Sequence, residues 1–363
     1  MALPDFPWDS LVPYAQTARS HPDGIVDLSV GTPVDPTPAV VQQALADAAD
    51  APGYPQTYGT PELRQAVADW FARRRGVPDL DPAGVLPTIG SKELVAWLPT
   101  LLGLGPDDRV VIPPVAYPTY DVGARLAGAT PVVAENFTSL GPTGARLVWV
   151  NSPSNPTGKV LGVGHLRKVV AWARSRGAVV ASDECYAELP WTTDDVPSIL
   201  DPRVTDGSHE GLLAVYSLSK QSSMAGYRAA FVAGDPVLVK RLLEVRKHAG
   251  MIVPAPVQAA LTAALGDDEH VGMQRESYRW RRAVLLPALE AAGLRADDSD
   301  AGLYLWATAD EDCWATVGRL AERGVLVAPG AFYGEAGRRH VRVALTATDE
   351  RVAAAAERLT GRE

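Results

Sequence analysis

The sequence predicts an α/β fold, with a seven-stranded, mainly parallel sheet in a large domain and a small α+β domain beside it. Three observations lead there. Seven short apolar, β-branched runs recur between residues 85 and 233, amphipathic stretches separate most of them, and the pattern changes after about residue 250. Composition is that of an ordinary globular chain of 363 residues, 47% hydrophobic and 21% charged, which excludes collagen-like, disordered and disulfide-scaffold classes.

Taken in order, the first 36 residues are punctuated by proline and read as a strand-poor arm. A helix follows over Pro61 to Arg75: Thr60 offers a capping hydroxyl, Pro61 suits the first helical position, Glu62 the first turn, and Gly76 the stop. Leu63, Val67, Trp70 and Phe71 share its apolar face. The seven strands are predicted at Val85–Ile89, Arg109–Ile112, Thr130–Ala134, Arg146–Val150, Ala178–Ser182, Leu212–Tyr216 and Ala230–Ala233. Beyond them stands a long helical pattern, Glu269 to Ala291, then shorter elements including Gly302–Ala307 and Val341–Leu345. The expected division is a large domain over 37–275, with 1–36 and 276–363 forming an N-terminal arm and a small C-terminal domain. There is no internal repeat or low-complexity linker.

A net charge of −9 argues against a nucleic-acid partner, because phosphate contacts need a basic face. The two cysteines, Cys185 and Cys313, form no C-x-x-C pair and cannot build a disulfide framework or a four-thiolate metal site. No basic start followed by an apolar run marks a signal peptide, and no apolar run approaches 18 residues, so a cytoplasmic, reducing location is expected, with no membrane partner. The Asn136-Phe137-Thr138 sequon is accordingly expected to be inert.

Chemistry gathers at the predicted strand ends. Lys220, in Ser217-Leu218-Ser219-Lys220, follows the Leu212–Tyr216 run, where α/β folds place their ligands. The chain has six lysines against many more arginines, and a lysine kept among serines offers an amine that can deprotonate. The S-x-x-K spacing also matches penicillin-binding proteins, but the S-D-N and K-T-G tripeptides of that chemistry are absent. Asp183 closes the Ala178–Ser182 run and reads by itself as a cap; no histidine lies near it, and Glu184 next to it points elsewhere, so no metal is expected. Asn151-Ser152-Pro153-Ser154-Asn155-Pro156-Thr157-Gly158 reads as a turn.

In this order, Asn155, Asp183, Tyr186, Ser217, Ser219, Lys220 and Gly226-Tyr227-Arg228 resemble the fold-type I pyridoxal-5′-phosphate (PLP) enzymes, and within them the class I/II aminotransferases. The resemblance spans Leu28 to Leu345 and implies the PLP-dependent transferase fold type I. It implies that Lys220 joins the cofactor and moves a proton, that Asp183 holds the ring nitrogen protonated, and that Asn155 and Tyr186 donate to the phenolic oxygen. Ser91 and the Lys92 backbone in Gly90-Ser91-Lys92-Glu93, with Ser217, Ser219 and Arg228, match the phosphate cradle at a helix N-terminus. Tyr117 matches the aromatic that stacks on the ring, and Arg342 the arginine that clamps the substrate carboxylate beside Gly31 and Asn155. Tyr54, five residues before Gly59, matches the tyrosine that reaches a neighbouring subunit's cofactor, implying a homodimer. One departure is Ala230, where many relatives carry glycine.

Within the family, the Gly90-Ser91-Lys92-Glu93 and Gly226-Tyr227-Arg228-Ala229-Ala230 variants look closest to actinobacterial N-succinyldiaminopimelate aminotransferases of lysine biosynthesis. That resemblance implies amino transfer from N-succinyl-LL-2,6-diaminopimelate to 2-oxoglutarate, or the reverse. Transfer to another amino acid's oxo acid and carbon–sulfur β-elimination are the alternatives within the cofactor class. A regulator built on this fold is the remoter one, and only about 30 residues with little basic charge precede Gly31.

Overall fold

The computed structural model describes residues 7–134 and 144–361; the Asn136 sequon lies outside the described residues. All seven predicted runs form one sheet. We number its strands β1 Val85–Ile89, β2 Arg109–Ile112, β3 Thr130–Val133, β4 Ala145–Asn151, β5 Val179–Asp183, β6 Leu212–Ser217 and β7 Ala229–Gly234. Their spatial order is β1-β7-β6-β5-β4-β2-β3, and only β7 runs against its neighbours. Every residue of β6 and β7 is buried, as expected of strands covered on both faces. Trp70, Phe71, Val169 and Leu261 pack on one face, and Leu94, Leu98, Tyr120 and Trp149 on the other.

The helix over Pro61–Arg75 forms between the predicted signals. Thr60 Oγ1 accepts from the Leu63 N–H at 3.1 Å, and Gly76 takes the left-handed conformation at φ 65° that stops the helix.

A second, antiparallel sheet contains β8 Arg295–Asp297, β9 Tyr304–Thr308, β10 Ala328–Pro329 and β11 Val341–Ala344, in the order β10-β11-β9-β8. The lead-in is more structured than its prolines indicate. It carries a helix over Val12–Arg19, and Val26–Asp27 pairs in parallel with Val325–Leu326. Leu11, Ala15, Ala18, Val26 and Leu28 thereby share a core with Leu305, Val317 and Val343.

The topology explains the site. The parallel strands β2, β4, β5 and β6, together with β1, all end at one edge of the sheet, and the reversed β7 begins there. Residues just after five strands and just before one therefore converge. No helix among the described residues is long and apolar enough to cross a membrane, and no group of three or more His, Cys, Asp and Glu there could hold a metal ion.

Candidate active site

Asp183 ends β5 with its carboxylate buried. Its Oδ2 accepts from the Tyr120 hydroxyl at 2.9 Å and its Oδ1 from the Cys185 N–H at 3.2 Å. Burial pushes its pKa above the ordinary carboxylate value, with those donors only partly opposing the rise. No salt bridge reaches Asp183 among the described residues. Tyr120 is itself fixed by stacking on Trp149, ring centroids 4.8 Å apart.

Lys220 follows β6 by three residues. Its ammonium donates to the Gly31 carbonyl, while the Tyr278 hydroxyl donates to its backbone carbonyl at 3.2 Å. Burial lowers its pKa, the nearby Arg342 cation acts in the same direction, and Tyr304 opposes them. An amine so placed loses its proton more readily than a surface lysine.

The opposite wall is built on β9 and β11. Arg342, 3% exposed, donates from Nη1 to Asn155 Oδ1 at 3.1 Å and from Nη2 to the Ser29 carbonyl at 2.7 Å. Its guanidinium carbon stands 3.9 Å from the centre of the Tyr304 ring, and the Tyr304 hydroxyl meets that of Tyr186 at 3.3 Å. Tyr304 therefore links the two walls. Burial alone would raise its pKa, yet the cations of Arg342 and Lys220 and the Tyr186 hydrogen bond bring it below the ordinary value. Gly31 is required at its place, because a Cβ would stand 2.1 Å from the Tyr304 hydroxyl.

A third corner is an anion cradle. Gly90, at φ 77°, precedes the helix Ser91–Leu101, and a Cβ on it would lie 2.1 Å from Arg228 Nη2. The Arg228 guanidinium thus sits directly over a helix N-terminus, where backbone N–H groups and the helix dipole also favour negative charge. Ser217 Oγ donates to Ser219 Oγ at 2.8 Å beside the Ala229 carbonyl, and Arg228 Nη1 donates to the Ala225 carbonyl at 2.8 Å. Ser91 bonds the buried Cys185 thiol.

These corners suit a flat aromatic cation carrying a phosphate dianion. The cradle of Arg228, serine hydroxyls and helix N-terminus fits the phosphate, and the buried Asp183, with no salt-bridge partner among the described residues, fits a protonated ring nitrogen. Tyr117 lies close enough to Tyr120 for edge contact at 5.8 Å, and burial pushes its hydroxyl pKa up to about 12.

The structure brings together Gly31, Asn155, Asp183, Tyr186, Lys220 and Arg342, and gathers Ser91, Ser217, Ser219 and Arg228 at the cradle. Lys92 stands in the same helix turn as Ser91 and also lines a cavity beside Tyr117, and Tyr54, expected to serve a second subunit, is fully exposed in one chain. Sequence reasoning missed Tyr120, Tyr304 and Asn151. Asn151 donates to the Asp183 carbonyl at 2.9 Å and accepts from the Asn155 N–H at 2.7 Å, tying the two site loops together. Its position at the end of a predicted strand was the one available signal; nothing local singled out the tyrosines.

Comparison with known proteins gives a consistent frame. The family described as "Aminotransferase class I and II" matches residues 23–359. A Mycobacterium tuberculosis protein described as "Probable aminotransferase" is 64% identical over 359 residues, covering 99% of this chain and 86% of that one. The Streptomyces rimosus 4-dedimethylamino-4-oxo-anhydrotetracycline transaminase is 60% identical over 358 residues, covering 99% of each chain. Among solved structures, a Thermus thermophilus protein described as "probable N-succinyldiaminopimelate aminotransferase" superposes with a TM-score of 0.88 at 30% identity, over 98% of this chain and 100% of that one.

Proposed function

This chain belongs to the class I and II aminotransferases, which are PLP-dependent, and from that premise we propose that it moves an amino group between glutamate and N-succinyl-2-amino-6-oxopimelate. The carrying observation is Arg342: a buried guanidinium with no acidic partner among the described residues, on the opposite wall from Lys220. Its planar fork suits a substrate α-carboxylate. The description of the Thermus thermophilus structure supports this choice of acceptor.

Bound PLP supplies an electron sink for charge developing at the substrate α-carbon. The residues do the rest. Asp183 keeps a proton on the ring nitrogen, since an opposite charge at contact favours the protonated form. Lys220 Nζ would hold the cofactor aldehyde and would serve as the base for the proton of the substrate α-carbon; its lowered pKa keeps the neutral amine accessible for that role. Asn155 and Tyr186 would donate to the cofactor's phenolic oxygen, and Gly31 would lie beside a carboxylate held by Arg342. Ser91, Ser217, Ser219, Arg228 and the Lys92 backbone hold the phosphate. Tyr54, an aromatic with nothing over it in one chain, reaches the phosphate bound by a second copy, making the active unit a homodimer.

A donor and acceptor screen on the holoenzyme tests the substrate. Glutamate-dependent turnover of the succinylated oxo acid far above aspartate or aromatic amino acids is expected; equal rates across the panel overturn it. The visible absorbance band of bound PLP is expected to vanish in Lys220→Ala, and its persistence overturns the role of Lys220. A second reading, a polycyclic ketone acceptor, is favoured by the name of the 60%-identical Streptomyces rimosus relative, and the same screen decides it.

A further inference from the structure

Beside Tyr117 lies a cavity of about 540 Å³ whose walls are mostly apolar, with Trp8, Ile112, Pro114 and Phe332 prominent. It borders the site, sharing Lys92 and Tyr117 with it. Tyr117 lines it, and so does Tyr333, whose ring centre stands 5.1 Å from the Arg342 guanidinium carbon. The Ala116 N–H donates to the Tyr333 carbonyl at 2.8 Å, so the strand-end loop and the β10–β11 connection form one continuous wall. The cavity thus begins where the carboxylate clamp ends.

Its far wall is aromatic and anchored. The Trp8 ring, on the helical turn Pro7–Leu11, lies 5.1 Å from Phe332, which in turn packs edge-on against Trp314 at 5.7 Å. Of the charged residues lining the cavity, Asp121 is paired with Arg125 at 2.7 Å, and Lys92 is a cation. An ionised group placed against the Ile112, Pro114 and Phe332 wall would lose hydration without a partner, whereas methylenes or a ring gain by leaving water.

We infer that this cavity is the subsite for the substrate's carbon frame beyond the reacting carbon, and that Trp8 and Phe332 set a preference for frames that are apolar there, either chains of several methylenes or rings. This rests on amino transfer taking place at Lys220 but not on the succinylated acceptor. Each methylene buried on this wall raises kcat/KM about fourfold, as expected for moving one CH₂ out of water.

The test uses the PLP-loaded enzyme with glutamate and the unbranched series 2-oxobutyrate, 2-oxovalerate, 2-oxohexanoate and 2-oxooctanoate. A rise in kcat/KM of about fourfold per carbon is expected, with the increment falling below twofold in Trp8→Ala and Phe332→Ala. Phe332→Leu, which keeps an apolar wall at less risk to folding, is expected to retain most of it. A flat series in the unmodified enzyme overturns the inference. So does an alanine variant that lowers every acceptor by one common factor and leaves the increment intact. Failure of the succinylated acceptor with the series intact removes the proposed substrate but not the subsite; turnover of that acceptor with a flat series does the opposite.

Discussion

Asp183 and Glu184 leave the end of β5 into two different regions. Both are buried, and burial pushes both pKa values up. Glu184 enters the layer behind the cleft, where Arg75 Nη2 donates to its Oε2 at 3.3 Å and Ser198 Oγ and the Ile199 N–H donate to its Oε1 at 3.1 and 2.7 Å. Asp183 faces the cleft, accepts from the Tyr120 hydroxyl and the Cys185 N–H, and has no salt-bridge partner among the described residues. The same chemistry at consecutive positions therefore serves two ends. An acid that must hold the fold brings its own cation, and one that must hold a ligand leaves that position open.

Asp183→Asn breaks the cleft side of this comparison, and kcat is expected to fall by roughly 10²–10³-fold, as measured by steady-state transamination. The apoprotein of the same variant is expected to be at least as stable as the parent at neutral pH, because a desolvated charge has been removed; a clear loss of Tm would place Asp183 with Glu184 instead.

Arg75→Met breaks the other side. It strands Glu184 as a buried charge, at a cost of about 3–5 kcal/mol in urea unfolding of the apoprotein. Replacing Arg75 and Glu184 together by methionine should recover most of that loss, and a double variant as weak as the single would contradict the pairing.

Tyr120→Phe sharpens the comparison at lower amplitude. Removing one donor to Asp183 is expected to cost about 1–3 kcal/mol of charge stabilisation at that carboxylate, read as a roughly tenfold fall in kcat with folding retained. The acid limb of the pH profile should move upward, since the lost hydrogen bond had held the pKa down.

The smallest effect is one of linkage. Because the folded pKa of Asp183 is raised, its contribution to apoprotein stability is complete below the unfolded value and is lost as pH rises through the folded one. The Tm gap between Asp183→Asn and the parent should accordingly widen from about pH 4 to neutrality, and a gap that narrows would reverse the sign of the shift.

Much of the frame was legible in the sequence. Strand positions came within one or two residues because most of the runs are short, apolar and covered on both faces, as the fully buried β6 and β7 show; the edge strand β3, exposed at both ends, is the exception. Lys220, Asp183 and Arg228 were legible because they stand beside those runs, at strand ends. Tyr120 and Tyr304 were not, since Tyr120 lies inside an ordinary helix, Thr119–Leu126, and Tyr304 opens an ordinary strand. Their importance comes only from partners 63 and 118 residues away.

Local hydrophobic period, turn residues and capping signals are properties of neighbouring positions, so the chain by itself determined which segments become strands and helices and which side chains stand at their ends. Only the tertiary structure decided that Arg342 meets Ser29 across 313 residues, that Tyr304 joins two walls, and that among the described residues Asp183 has no salt-bridge partner while Glu184 has one. Those outcomes depend on how the two sheets pack and on what burial removes from water, quantities that belong to the assembled fold and to no short stretch of it.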